Sequence, residues 1–223
     1  MPFCAALVIR TSGLAYTRTV STDAKLTSPT PLPRAVDLAT LIASVLAGRE
    51  RIVLDRPGRP AAVLLPIYDR GDRPHIILTK RTSTLPAHPG QVSLPGGQQD
   101  PEDRDLRMTA LRETQEELGI DPAAIEIIGE LDDVATFQSQ FIVTPVVGVM
   151  RTAPATHPNP AEIDRVIEVP VANILALDAA LPADPTLRDL RYPLDGEDVW
   201  GATARILRSF AEVARVAIVH AGE

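Results

Sequence analysis

Apolar positions along the chain change period several times, and each change marks an element. From Asp37, the residues Leu38, Leu41, Ile42, Val45 and Leu46 recur at helical spacing and Gly48 follows as a stop, which predicts a short helix. The runs AAVLLPI (61–67) and HIILTKR (75–81) are short and β-prone, and YDRGDRP between them, with Gly71 and Pro74, predicts a hairpin. GQVSLPGG (90–97) reads as another strand, ending in a glycine pair. Helical spacing returns in DRDLRMTALRETQEELG (103–119), stopped by Gly119. Two further β-like runs follow, AIEIIGELDDVATF (124–137) and FIVTPVVGVMR (141–151), then a Pro-rich loop, TAPATHPNPAE (152–162). RVIEVP (165–170) predicts a short strand, VANILAL (171–177) a helical turn, and the segment from about Val199 to Ala217 an amphipathic helix. Helix, strands, helix, strands, helix is the order of an α+β domain, an α/β/α sandwich on a mixed β-sheet. Residues 1 to 34, rich in Thr, Ser and Pro, predict a poorly ordered N-terminal extension, leaving 35–223 as the folded domain.

Composition narrows the function classes. A chain of 223 residues can bury a full core and fits one domain, and its 21 prolines, above the usual share of about 5%, add rigid turns. Cys4 is the only cysteine, which excludes an internal disulfide and a cysteine-built metal site and makes a reducing cytoplasm the simplest location. CAALVI near the start is far short of the roughly 20 residues of a spanning helix, so no membrane partner is expected. A net charge of −7 argues against nucleic-acid binding, which needs a basic face to replace phosphate counterions. Basic residues do cluster locally, in GRERIVLDRPGR (48–59) and LTKR (78–81), and a small anionic substrate remains compatible with that. A homodimer is left open.

The segment LRETQEELG (111–119) concentrates like charge. On a helix, Glu113, Glu116 and Glu117 fall within an arc of about 100°, with Leu111, Thr114 and Leu118 on another side. Like charges at these spacings cost a few tenths of a kcal/mol per pair, and the helix dipole adds to that near a C-terminus. Arg112 can pair with Glu116 one turn on but cannot serve all three, whereas a hard divalent cation takes several carboxylate oxygens at once. Alone, the segment reads better as a solvated acidic face. Just upstream, LPGG (94–97) supplies glycines that let the backbone approach a ligand or a metal, although Pro-Gly-Gly is also simply a good turn. His75, His88, His157 and His220 lack metal-ligand spacing, which argues against a zinc site.

Strand, glycine pair, acidic loop QQDPED (98–103) and carboxylate helix together resemble the Nudix hydrolases, whose signature joins a glycine to an Arg-Glu-x-x-Glu-Glu-x-Gly run. Gly97 and RETQEELGI (112–120) match it, with Thr114 where an aliphatic residue is commonest and one extra residue between Gly97 and Arg112. That longer loop, with Asp100 and Asp103, resembles the coenzyme A pyrophosphatase branch, as does ILTKRTSTLPAHPGQVSLPGG (77–97), which departs from the branch pattern at Thr82, Pro86 and Leu94. NPAEI (159–163) and VWGATARIL (199–207) resemble later segments of the same branch.

The resemblance implies a Nudix-like sandwich and a Mg²⁺- or Mn²⁺-dependent hydrolase that splits coenzyme A into 3′,5′-ADP and 4′-phosphopantetheine. It implies Glu113, Glu116, Glu117 and the Gly97 carbonyl as metal ligands, and Arg112 as the residue that orients the carboxylates. Glu116 and Glu162 are the two candidates for the general base, Glu162 fitting that role slightly better than that of a purely structural loop glutamate. Arg81, His88 and Gln91 are the candidate substrate-binding residues, His88 having an equally good reading as a turn residue. The alternatives are hydrolysis of another nucleoside diphosphate derivative, such as NADH or ADP-ribose, and a catalytically silent nucleotide-sensing module.

Overall fold

The computed structural model describes residues 32–84, 88–136, 140–182, 186 and 190–221. The expected N-terminal extension therefore lies outside the described residues up to Pro31, as does Pro86. In chain order the elements are α1 (Ala35–Ala47), β1 (Arg59–Arg70), β2 (Arg73–Arg81), β3 (Val92–Ser93), β4 (Gly96–Gln98) and α2 (Leu106–Leu118). After a 3-10 turn at Pro122–Ala124 come β5 (Glu126–Glu130), β6 (Val134–Ala135), β7 (Phe141–Val149), β8 (Ile163–Pro170), α3 (Val171–Ala179), β9 (Tyr192–Leu194), β10 (Glu197–Val199) and α4 (Gly201–Ala221).

β1 is apolar on both faces because both are covered. Ala61, Leu65 and Ile67 belong to a core shared with α1, α3 and α4, while Ala62, Leu64 and Tyr68 pack with Ala110 and Leu118 of α2. Fully burying a Leu or Ile contributes about 1.5–3 kcal/mol, so this double face is a large share of what holds the layers together. The sheet runs β3-β2-β1-β7-β5, with β4 on β1, β6 on β7 and β8 on β2. Only β1 and β7 pair in parallel, over Arg59–Ile67 and Phe141–Val149; the other pairs are antiparallel. The sheet is mixed, with helices on both faces, as the order of elements predicts.

The 61–67 and 75–81 runs form the predicted hairpin, closed by Gly71 at φ 63 and Asp72. α1 has no side-chain cap of its own; Asp69 of β1 accepts from Ala35 N at 2.9 Å and from Arg34 Nε at 2.8 Å, which settles both exposed amide and dipole. Among the described residues no helix is long and apolar enough to cross a membrane.

Four expectations need correction. GQVSLPGG is two strands rather than one: β3 pairs with β2, the chain breaks at Leu94-Pro95, and β4 pairs with β1, so the glycine pair lies inside the sheet. AIEIIGELDDVATF is likewise split into β5 and β6. The VANILAL turn is a nine-residue helix. Val199 ends β10 instead of opening the last helix, and the β9–β10 hairpin was not anticipated. Its signal was present: Asp195 and Gly196 both have positive φ, the pattern that Asp-Gly favours in a two-residue hairpin turn.

Gly96 has φ 149, and a Cβ there would lie 2.3 Å from the Ala62 carbonyl oxygen and 2.5 Å from Val63 Cα, both backbone atoms that cannot yield. Gly96→Ala is therefore expected to destabilise the protein by about 2–3 kcal/mol, read as a lower urea midpoint at unchanged slope. A midpoint within error of wild type would show that β4 can leave β1 at little cost.

Candidate active site

The helix that carries the carboxylates is held by its ends more than by its apolar face. Asp105 caps the N-terminus, its Oδ1 accepting from Met108 N at 2.8 Å, and Gly119 at φ 67 forms the C-cap. Beyond that cap, His157 N donates to the Leu118 carbonyl at 2.7 Å and Asn159 N to the Glu117 carbonyl at 2.9 Å. These bonds satisfy the last helical acceptors and stitch the 157–162 loop to α2. Thr114, where an aliphatic residue is the commoner choice, is buried with its hydroxyl donating to Ala110 O at 2.7 Å, so a polar atom enters the core already satisfied.

The glutamates are graded across the boundary between core and solvent. Around the helix their angular order is Glu116, Glu113, Glu117, and their side-chain exposures follow it: 56%, 17% and 2%. Burial pushes the Glu117 carboxyl up to about 8, against its ion pair with Arg81 and its bond from Gly96 N; the charges of Glu113 and Glu162 push the same way. Glu113 is also raised, first by burial, opposed by Arg112 and reinforced by Glu116 and Glu162. The Glu113 carboxylate lies against Gly97, where a Cβ would sit 2.5 Å from its carboxyl carbon.

Two arginines divide these charges. Arg112 Nη1 is 3.0 Å from both Glu113 and Glu116, and its Nη2 donates to Gln98 O at 3.1 Å. Asp103, buried just before α2, accepts from Arg112 Nε and Nη2, and this fork holds its carboxyl below the usual range. Arg112 thus serves two of the three glutamates. The third, Glu117, is met by Arg81 Nη1 at 3.5 Å. A register shift between Lys80 and Arg81 in the β2–β8 pairing re-aims Arg81 at the end of its strand.

The other expected residues gather at the same end of β2. Arg81 N donates to Gln91 O at 2.9 Å, Gln91 N to His88 O at 3.3 Å, and His88 has φ 55, so its backbone forms the turn before β3. Glu162 is brought in by the stitched loop: Asn159 Nδ2 donates to its carboxylate at 3.2 Å, and Thr82 N to its carbonyl at 2.9 Å. Sequence reasoning missed Gly96 as the amide donor to Glu117, and His157 and Asn159 as the residues that fasten the loop. The NPAE run carried a partial signal, since Asn before Pro favours tight backbone turns.

Glu113, Glu117 and the Gly97 backbone offer oxygen donors alone, and both carboxyl groups are raised, first by burial and then by neighbouring carboxylates including Glu162, a chemistry that fits a hard divalent cation. Among the described residues, no three acidic, histidine or cysteine side chains stand together as a ready cage, and Glu116 turns to Arg112 at the surface. Donor chemistry is the better guide here, since carboxylate rotamers adjust more easily than backbone. A cavity of about 450 Å³ lined by Glu168, Asn173, Leu177, Pro193 and Asp195 lies elsewhere. Pro170, which also lines it, pairs with His75 towards the opposite end of β2 from Arg81, so that cavity is not part of this site.

A profile of the NUDIX domain matches residues 58–190. A Photorhabdus laumondii protein named "Uncharacterized Nudix hydrolase NudL" is 36% identical over 163 residues, covering 71% of this chain and 86% of its own. A protein of the same name from Enterobacter sp. strain 638 is 43% identical over 169 residues, with 72% and 84% covered. Among solved structures, a C. elegans Ap4A hydrolase binary complex aligns with 71% of this chain and 98% of its own, at 17% identity and a TM-score of 0.48. With more than half its length matched by the domain profile and relatives above 30% identity, the chain belongs to the Nudix family.

Proposed function

We propose that this protein is a Mg²⁺- or Mn²⁺-dependent pyrophosphatase that hydrolyses coenzyme A to 3′,5′-ADP and 4′-phosphopantetheine in the cytoplasm, with residues 35–223 as the catalytic domain. The observation that carries the hydrolase reading is the packing of Glu117 against Gly96 and of Glu113 against Gly97, with Glu162 near enough for its charge to be felt, where burial and mutual repulsion raise two of the carboxyl groups. The substrate assignment is supported by the 77–97 run and its resemblance to the coenzyme A branch.

A bound divalent ion would neutralise the diphosphate oxygens and lower the pKa of a water. The chain's own residues supply the rest. Glu113 and Glu117, one turn apart, would be the principal carboxylate ligands of such an ion, with Glu116 and the Gly97 carbonyl completing the set. Arg112, clamped by Asp103, fixes the positions of Glu113 and Glu116 through one guanidinium nitrogen. Glu162 accepts the proton of the attacking water as its oxygen bonds to phosphorus, and the bridging P–O bond breaks towards the second phosphate. Asn159 holds that carboxylate in place. Arg81 at the end of β2, with His88 and Gln91 in the turn before β3, would meet the diphosphate.

Purified protein with coenzyme A and Mg²⁺ or Mn²⁺ is expected to release 3′,5′-ADP faster than it cleaves NADH or ADP-ribose, with no turnover in chelator. Preferential cleavage of another diphosphate would keep the chemistry and reject the substrate; no cleavage of any would favour a nucleotide-sensing module. Glu162→Gln should lower kcat by about 10²-fold or more with little change in KM, as loss of a general base does; near-wild-type kcat would return that role to Glu116.

Glu117→Gln separates function from folding. A carboxyl raised in the folded state stabilises it fully only below the ordinary value of 4.5, and that stability is lost as pH rises towards about 8. The metal-free variant should therefore melt at or above wild type at pH 8, with the difference shrinking at pH 5, while turnover falls by about 10²-fold or more. A variant that unfolds more readily at pH 8 would mean that the Arg81 pair outweighs the burial.

A further inference from the structure

One basic stretch that the catalytic reading leaves unused meets a lone arginine of the last helix in space. Arg56 and Arg59 come from the 48–59 segment, and Arg205 from VWGATARIL near the start of α4. Arg59 lies over the Phe141 ring, its Cζ 4.1 Å from the centroid, and its Nη1 is 3.4 Å from Gln98 Oε1. Arg205 Nη1 donates to the Ala135 carbonyl at 2.7 Å. Ala135 pairs with Ile142 on β7, and Phe141 with Arg59 on β1. With strands about 4.8 Å apart, the two arginines are anchored about 10 Å from each other, on the face of the sheet that α4 covers. Arg56 stands close enough to Arg205 for its charge to be felt there, adding to the effect of partial burial on that guanidinium.

In a chain with 29 acidic and 22 basic residues, cations without a carboxylate are the exception. Arg49, Arg51, Arg107, Arg112 and Arg165 all hold one. Among the described residues neither Arg56 nor Arg205 does. A guanidinium cannot shed its proton to relieve repulsion, so a half-buried one beside a like charge is best balanced by an anion. Planar forks converging from several sides suit a phosphate dianion in particular.

Gln98 links this cluster to the carboxylates. Its side chain meets Arg59 and its carbonyl meets Arg112, and β4 pairs with β1 along one edge only. The arginines and the α2 carboxylates therefore lie on opposite faces of one three-residue strand. We propose that Arg56, Arg59 and Arg205 form an anion subsite that takes a phosphomonoester of the substrate, the 3′-phosphate where the substrate is coenzyme A. The identity of that phosphate rests on the function proposed above; the subsite itself does not.

The test compares the full-length protein with Arg56→Ala, an exposed substitution that spares the fold, and Arg205→Ala. Wild type should favour coenzyme A over dephospho-coenzyme A in kcat/KM by about tenfold or more, the effect of one charge-assisted hydrogen bond, and both variants should bring the ratio towards one through KM. Calorimetric binding of 3′,5′-ADP against 5′-AMP reads the same preference without turnover. If coenzyme A is not cleaved yet 3′,5′-ADP binds more tightly and Arg56→Ala removes the difference, the substrate reading falls and the subsite stands. If coenzyme A is cleaved with no preference for the 3′-phosphate, or Arg56→Ala retains the preference, the subsite is overturned alone.

Discussion

Like charge that cannot be left in water is the constraint on which the site depends. α2 turns three glutamates through a narrow arc, and the arc straddles the edge of the core, so that one carboxylate is solvated, one is half-buried and one is buried. Each step inward raises the cost of the charge. The surrounding chain answers with two arginines of different origin. Arg112 lies on the same helix and is fixed by buried Asp103; Arg81 arrives from the end of β2, re-aimed by an irregularity in the sheet. Neither neutralises the group, since Glu117 and Glu113 both remain raised. The repulsion that remains would be wasteful in a structural helix and is useful in one that binds a cation.

The backbone makes the same geometry possible. β4 can lie on β1 only because Gly96 has no Cβ, and Gly97 can meet Glu113 for the same reason. At the other end of α2, Gly119 admits His157, whose Cβ would be 3.1 Å from a Cβ at that position. The 157–162 loop then covers the helix end with two backbone bonds and delivers Glu162 beside the other carboxylates. One helix is thus positioned by close backbone approach at both ends, and its side chains are free to be polar.

What the sequence revealed and what it hid divide along the range of the interactions involved. α1, the β1–β2 hairpin and α2 were legible because their periods and stops are local: Gly48, Gly71 and Gly119 each end an element within a few residues of the pattern that announces it. The carboxylates were legible too, as a violation of what a helix would choose for itself. Strand pairing was not. Nothing local in GQVSLPGG says that the chain will change partners at Leu94-Pro95, because β2 and β1 are fixed by contacts far along the chain. The helical pattern puts Glu117 on one arc with its neighbours, whereas its burial is decided by how α2 packs beside Leu64 and Tyr68. The β9–β10 hairpin had a turn signal and strands of only three residues, too short for alternation to register.

The same division bears on how a Nudix site acquires a substrate. The carboxylate machinery is compressed into a loop, a glycine pair and one helix, all close in sequence, and it can be recognised as a unit. Selectivity has to come from groups that distinguish one diphosphate from another, and those must reach past the reacting centre. On the proposed reading β4 separates the two tasks: Gly97 faces Glu113 and α2, while the next residue, Gln98, alternates to the other side and meets Arg59. Strand alternation alone thus turns adjacent residues towards chemistry and towards recognition. Residues on the recognition side come from the segment after α1 and from α4, which share no local pattern with the catalytic helix, so they can change without disturbing it.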